Sequence, residues 1–145
     1  MNRAYLCIDL KSFYASVECV QRGLDPFQTP LVVADQSRGR GALCLAVSPK
    51  MKELGVRNRC RLFEIPPDIT YIAALPRMEL YMRTAAEIYG VYLRYVAPAD
   101  IHVYSIDEAF LDVTPYLKLY GLSARALARR IMADVRQTCG IPAAA

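Results

Sequence analysis

Three acids stand where an apolar core would be expected. Asp9 lies near the end of the apolar run Ala4–Leu10, and Asp107-Glu108 interrupts a second apolar segment, Ile101–Val113. A carboxylate in apolar surroundings is costly unless it is protonated or matched by a cation. Successive residues of a strand point to opposite faces, so Asp107 and Glu108 converge only where the chain bends, as at a hairpin tip. With Asp9 on a neighbouring strand, three carboxylates would meet at one end of a sheet. Such an all-oxygen set suits Mg²⁺. Two ions about 3.5–4 Å apart could clamp the attacking and leaving oxygens of a phosphoryl transfer. The same acids also fit strand ends facing water, and spacing alone does not decide between the two.

The rest of the composition narrows the setting. The chain has 145 residues, 54% hydrophobic and 22% charged. That excludes a disordered chain, whose signature is low hydrophobicity with high net charge. The length suits one domain, or one with a small part of another. No apolar run approaches the ~20 residues of a membrane span. The N-terminus has too short an apolar core for a signal peptide, and an aspartate lies inside it. A soluble, cytoplasmic protein with no membrane partner is expected. The net charge of +4 and pI near 8.9 suit a nucleic-acid partner without requiring one. Five cysteines without a CxxC pair read as free thiols of a reducing compartment. The single histidine, His102, cannot anchor a zinc site and reads as a strand-edge residue.

The elements that must position the acids follow from pattern. Ala4–Leu10 reads as a buried strand, and Ser12 as the N-cap of a helix with Phe13, Val17 and Val20 on one face, stopped near Gly23. Leu31–Ala34 and Ala42–Val47 read as strands around a turn at 35–41, and Pro49–Leu54 as a short helix. Residues 57–68 read as loop and Thr70–Leu75 as a strand. After Pro76, helical spacing of Met78, Met82, Ala85, Ile88 and Tyr92 predicts a helix with those residues inward. Ile101–Val113 predicts two strands turning around the carboxylate pair. Ser123 should cap a last helix with Leu127, Ala128, Ile131 and Val135 inward and its arginines outward. Residues 141–145 should trail off without a closing element. Strands interspersed with helices give an α/β or α+β domain.

Two segments then resemble a known family. Asp9–Glu18, DLKSFYASVE, resembles the first motif of the Y-family translesion DNA polymerases, and Tyr104–Asp112, YSIDEAFLD, the second. They occur in the family's order and at about its usual separation. The resemblance covers the whole chain and is closest to the branch that includes UmuC.

The resemblance implies a palm-like fold: an antiparallel or mixed sheet with flanking helices and a small fingers insertion. Residues 1–22 and 76–145 would be palm, 23–75 fingers, with thumb and little finger absent and the palm cut short at residue 145. It implies that Asp9, Asp107 and Glu108 are the catalytic, metal-binding acids, helped by the backbone carbonyl of Leu10. The cofactor would be two Mg²⁺ ions, with Mn²⁺ as an alternative. Tyr14 would be the steric gate beneath the incoming sugar, or else a core aromatic. Phe13 shares the nucleotide-binding segment but reads as packing in the core. Ser105 and Glu18 would give support rather than chemistry.

The fingers match is looser. The segment from Ala46 to Gly55 carries Pro49 where relatives have a tyrosine, and Lys52 where they have an arginine. Lysine neutralises phosphate but lacks the bidentate fork. Lys52 is thus a candidate triphosphate contact or a solvated helix residue. Arg38 and Arg40 could touch template or triphosphate, or simply solvate a loop, and Arg57, Arg59 and Arg61 stand in the same position.

The implied function is the N-terminal catalytic part of an error-prone polymerase for DNA repair and the SOS response, joining dNTP to a primer end. Its implied partners are primer–template DNA, dNTP, a sliding clamp and a recombinase. This 145-residue chain by itself is expected to fold but not to extend a primer. Two alternatives remain: a polymerase-like accessory protein without catalysis, and a nucleotidyl cyclase of palm topology.

Overall fold

A computed structural model describes residues 3–145. The chain divides into two compact units, one formed by the segment up to Lys11 with Met82–Ala145, the other by Ser12–Tyr81. The divisions fall at 11/12 and 81/82, so the first helix belongs to the second unit.

The first unit is built on a four-stranded sheet, ordered β5-β6-β1-β7. Strand β1 (Tyr5–Leu10) alternates regularly: Leu6, Ile8 and Leu10 are buried, while Tyr5 and Cys7 are exposed and Asp9 half-buried. It pairs antiparallel with β6 (Glu108–Asp112), whose Ala109 and Leu111 join the same buried face. Strand β5 (Ile101–Ser105) pairs with β6 on its far side, with a register shift between Val103 and Ser105. Helix α5 (Ala124–Cys139) packs on β1 through a face holding Leu127, Ala128, Ile131 and Val135. Its N-cap is Ser123, whose side chain accepts from the Ala126 amide at 3.1 Å. Arg125, Arg129, Arg130 and Arg136 are exposed.

Two features of this unit depart from expectation. The C-terminal residues do not trail off: β7 (Ala143–Ala144) pairs with Asp9 and Leu10 of β1, and Ile141 is buried. Helix α4 (Thr114–Tyr120) was not anticipated, although it begins with Thr-Pro and ends at Gly121 in the left-handed region, φ 65°. Proline in the first helical turn and glycine just past the end are ordinary boundary signals. The helix is only seven residues long, and its inward side chains are half-buried at most.

The second unit carries a three-stranded sheet, ordered β3-β2-β4, from β2 (Leu31–Val33), β3 (Ala46–Val47) and β4 (Ile72–Ala74). The expected strand over Ala42–Val47 shrinks to two residues, with Leu43 making an isolated bridge to Arg61 inside the expected loop. Helix α2 (Pro49–Glu53) is capped by the buried Ser48, whose hydroxyl accepts from the Met51 amide at 3.3 Å. Val32, Cys44, Val47, Met51 and Leu62 form a core beside this sheet.

Helix α1 (Phe13–Gln21) is buried almost all round, with Ala15, Ser16, Val17, Glu18 and Cys19 all inside. Ser12 does not cap it as expected. It sits at φ 48°, ψ 49°, in the left-handed region, and makes no side-chain cap bond. Its hydroxyl is the one buried side-chain polar atom without a partner among the described residues.

Helix α3 (Met78–Tyr92) forms where predicted, and its expected inward face holds at Ile88 and Tyr92 but not at its N-terminal methionines. Tyr81, Ile88, Val91 and Tyr92 are buried, whereas Met78 and Met82 are exposed.

Candidate functional site

The sheet of the first unit brings the two sequence motifs to one end. In the β1–β6 register Asp9 lies directly opposite Glu108. Directly opposed residues of an antiparallel pair share a face, with Cβ atoms about 4.5–5.5 Å apart. Like charges so placed repel, which favours a cation beside them. Asp107 lies one residue beyond the strand, at the tip of the β5–β6 hairpin. Its carbonyl accepts from the Leu10 amide at 2.8 Å, tying the tip to the end of β1. Its side-chain Oδ1 accepts from the Ser105 hydroxyl at 2.8 Å. All four of Asp9, Ser105, Asp107 and Glu108 are half-buried.

The three acids thus share one sheet end, but they are not drawn together. Among the described residues no group of three or more histidine, cysteine or acidic side chains is arranged to hold a metal ion. Asp107 is instead satisfied locally by Ser105. The donor chemistry still fits a hard divalent cation, since every side-chain ligand offered is a carboxylate oxygen. Leu10 has its side chain buried, leaving only its backbone to serve the site.

The remaining candidates other than His102 lie in the second unit. Tyr14 is half-buried, with its ring stacked on that of Tyr81 at a centroid distance of 4.5 Å and an interplanar angle of 15°. Phe13 is buried and meets Tyr14 at a tilt of 51°. Lys52 is exposed on α2. Arg38 and Arg40 are exposed beside a short 3-10 turn, and Arg38 lies 3.6 Å from Asp35. Arg57, Arg59 and Arg61 are exposed too, and Arg59 has φ 62°. Arg61 donates to the Gly41 carbonyl at 2.7 Å. His102 is exposed on β5.

Sequence reasoning gave Glu18 only a supporting part, yet its carboxylate is fully buried. Its Oε1 accepts from Arg22 at 2.6 Å and from the Arg77 Nη2. Its Oε2 accepts from Arg77 Nε at 3.0 Å and from the Tyr81 hydroxyl at 2.6 Å. Burial pushes the carboxyl pKa up, but the hydrogen bonds from Arg77, Tyr81 and Arg22 outweigh it, and the net shift is downward. Burial, reinforced by the bond to Glu18, raises the Tyr81 phenol well above its ordinary range. Nothing in the local sequence announces this network, because Glu18 and Tyr81 are far apart in the chain.

The sign of its pH dependence follows. A carboxyl whose folded pKa lies below its unfolded value of about 4.3 contributes stability above that value and loses it as pH falls through the folded pKa. Acid titration of unfolding should therefore show stability falling below about pH 4.3, with a shallower fall in Glu18→Gln. Equal slopes in the two proteins would remove Glu18 from the acid response.

Cysteine chemistry is disfavoured at the buried thiols. Burial pushes Cys19 up to about 11 and Cys44 up to about 12, so neither is a ready thiolate.

The fold is shared with solved Y-family DNA polymerases. DinB from Sulfolobus solfataricus aligns over 96% of this chain and 40% of its own, with 27% identity and a TM-score of 0.77. The chain belongs to the impB/mucB/samB family, whose model matches residues 8–145. Among curated relatives, the DNA repair protein homolog YozK of Bacillus subtilis is 42% identical over 103 residues, covering 70% of this chain and 90% of that protein. DNA polymerase IV 2 of the same organism is 34% identical over 140 residues, covering 92% of this chain and 33% of that one. The chain therefore spans about a third of the length of that polymerase relative. No helix among the described residues is long and apolar enough to cross a membrane.

Proposed function

We propose that this chain is the N-terminal catalytic part of a translesion DNA polymerase that adds dNTP to a primer end on damaged template. The observation that carries the reading is Asp9 standing directly opposite Glu108, with Asp107 tied to Leu10 at the same sheet end. Membership of a family whose relatives include named DNA polymerases supports it.

In this reading Asp9, Asp107, Glu108 and the Leu10 carbonyl hold divalent ions, Mg²⁺ or Mn²⁺. When bound, such ions neutralise charge developing on the transferred phosphoryl group and lower the pKa of the attacking hydroxyl. The protein's own contribution is placement. Two acids come from adjacent strands and the third from a hairpin tip fastened by a backbone bond. Ser105 orients the Asp107 carboxylate through one hydrogen bond. Tyr14 limits the space beneath the sugar, so that a ribose 2′-hydroxyl meets the ring. Phe13 backs that ring from the core. Lys52 supplies positive charge toward the triphosphate as a point charge rather than a fork, and Arg38 and Arg40 offer phosphate contacts from the turn at 35–41. Residues 1–22 and 76–145 act as palm and 23–75 as fingers. Recruitment of the whole protein by a sliding clamp and a recombinase belongs to the same proposal.

Purified whole gene product on a primed template should extend the primer in Mg²⁺ and stop when the cation is chelated. Absence of extension under both conditions would instead favour a polymerase-like accessory protein. Formation of a cyclic nucleotide from free NTP would favour a cyclase. This chain alone should give negligible extension, because a grip on DNA needs many phosphate contacts over an extended surface.

A further inference from the structure

Glu18 is the one fully buried carboxylate among the described residues. An apolar side chain of similar volume would cost less there, since replacing buried ion pairs by well-packed apolar groups is often neutral or stabilising. What such a network can give in return is a fixed arrangement of its members. Here the arrangement has a direction. Arg77 grips both carboxylate oxygens, a planar two-point contact that fixes orientation as well as position. Arg22, one helical turn on, holds Oε1 and also donates to the Glu18 carbonyl at 3.1 Å. The oriented carboxylate then accepts the Tyr81 hydroxyl at 2.6 Å. Tyr81 is fully buried, and its ring lies against Tyr14.

A gate works only if it cannot turn aside. Productive geometry must be held to about 0.5 Å by neighbours that are themselves locked. Tyr14 is half-buried, so its own packing leaves one side open. The ring on its covered side is anchored at the phenol end by a charged acceptor, which is in turn anchored by two guanidinium groups.

We propose that Glu18 is a positioning residue for sugar selection, acting through the Tyr81 hydroxyl and ring to hold Tyr14 in place. The inference rests on the reading of Tyr14 as the steric gate. Glu18 touches neither nucleotide nor metal in this arrangement. Arg77 and Arg22 serve the same purpose one step further away.

The test is the ratio of kcat/KM for a deoxynucleotide over its ribonucleotide, measured on the whole gene product. Glu18→Gln keeps the shape and removes the charge, while Tyr81→Phe keeps the ring and removes the donor. Each should lower the ratio by between about tenfold and 10²-fold, the scale of small misplacements at a reacting site. In a Tyr14→Ala background, Glu18→Gln should change the ratio no further. A purely structural role would lower stability in both backgrounds and leave the ratio alone. Should Glu18→Gln fail to fold, Tyr81→Phe carries the same comparison with a single atom removed. If Tyr14→Ala lowers the ratio while both other variants leave it unchanged, the positioning role is overturned and the gate stands. If Tyr14→Ala leaves it unchanged, the gate reading fails and the inference falls with it.

Discussion

Asp107→Ala in the whole gene product should lower single-nucleotide insertion by at least about 10³-fold, since in the proposed function the carboxylate helps hold a metal, and such a metal stabilises the transition state by several kcal/mol. The loss should appear in kcat rather than in affinity for DNA, which depends mainly on phosphate contacts made elsewhere. Stability should change little. The Asp107 side chain is half-buried and accepts a hydrogen bond from Ser105, while the tie to β1 runs through its backbone carbonyl and survives the substitution. Rapid-quench insertion assays and thermal unfolding on the same preparation check both halves. Residual insertion within about tenfold of the parent would take Asp107 out of the metal set.

Tyr14→Ala should raise ribonucleotide insertion by about 10² or more while deoxynucleotide insertion remains measurable. The expectation follows from exclusion: a ring in van der Waals contact with the sugar rejects an added hydroxyl, and its removal costs the deoxy substrate only packing. Competition assays with paired dNTP and rNTP on one template measure the ratio directly. A ratio unchanged by the substitution would return Tyr14 to the core, as a ring simply packed on Tyr81.

Apolar runs and helical spacing made much of the fold legible. β1 and the β5–β6 hairpin follow from apolar runs and α5 from a helical period, and all three lie close to where the sequence puts them. What escaped was set by backbone or by distant partners. β7 is two alanines, with no pattern of their own, and exists because the end of β1 offers them an edge. Ser12 has the right chemistry for an N-cap, but the chain passes through it in a left-handed conformation that points the cap elsewhere. The methionines of α3 looked like core because they are apolar. Tyr81 lies inside instead, because Glu18 satisfies its hydroxyl.

The candidate site shows the same division. The acids could be named from sequence, and the register puts Asp9 opposite Glu108. The local partner of Asp107 could not be read, because the Ser105 hydroxyl reaches its carboxylate only once the hairpin turns. The Glu18 network was invisible for another reason. A glutamate in a helix is ordinarily a solvated residue, and only the fold brings Arg77 and Tyr81 to it.

The most direct measurement is a titration of this chain with Mn²⁺, followed by paramagnetic broadening of assigned backbone amides. Broadening should begin at Asp9, Leu10, Asp107 and Glu108 together, at one common cation concentration, and Asp107→Ala should weaken it at all four. Broadening that starts elsewhere, or that reaches Asp9 and Glu108 unaltered in Asp107→Ala, would contradict a single site built from the two motifs.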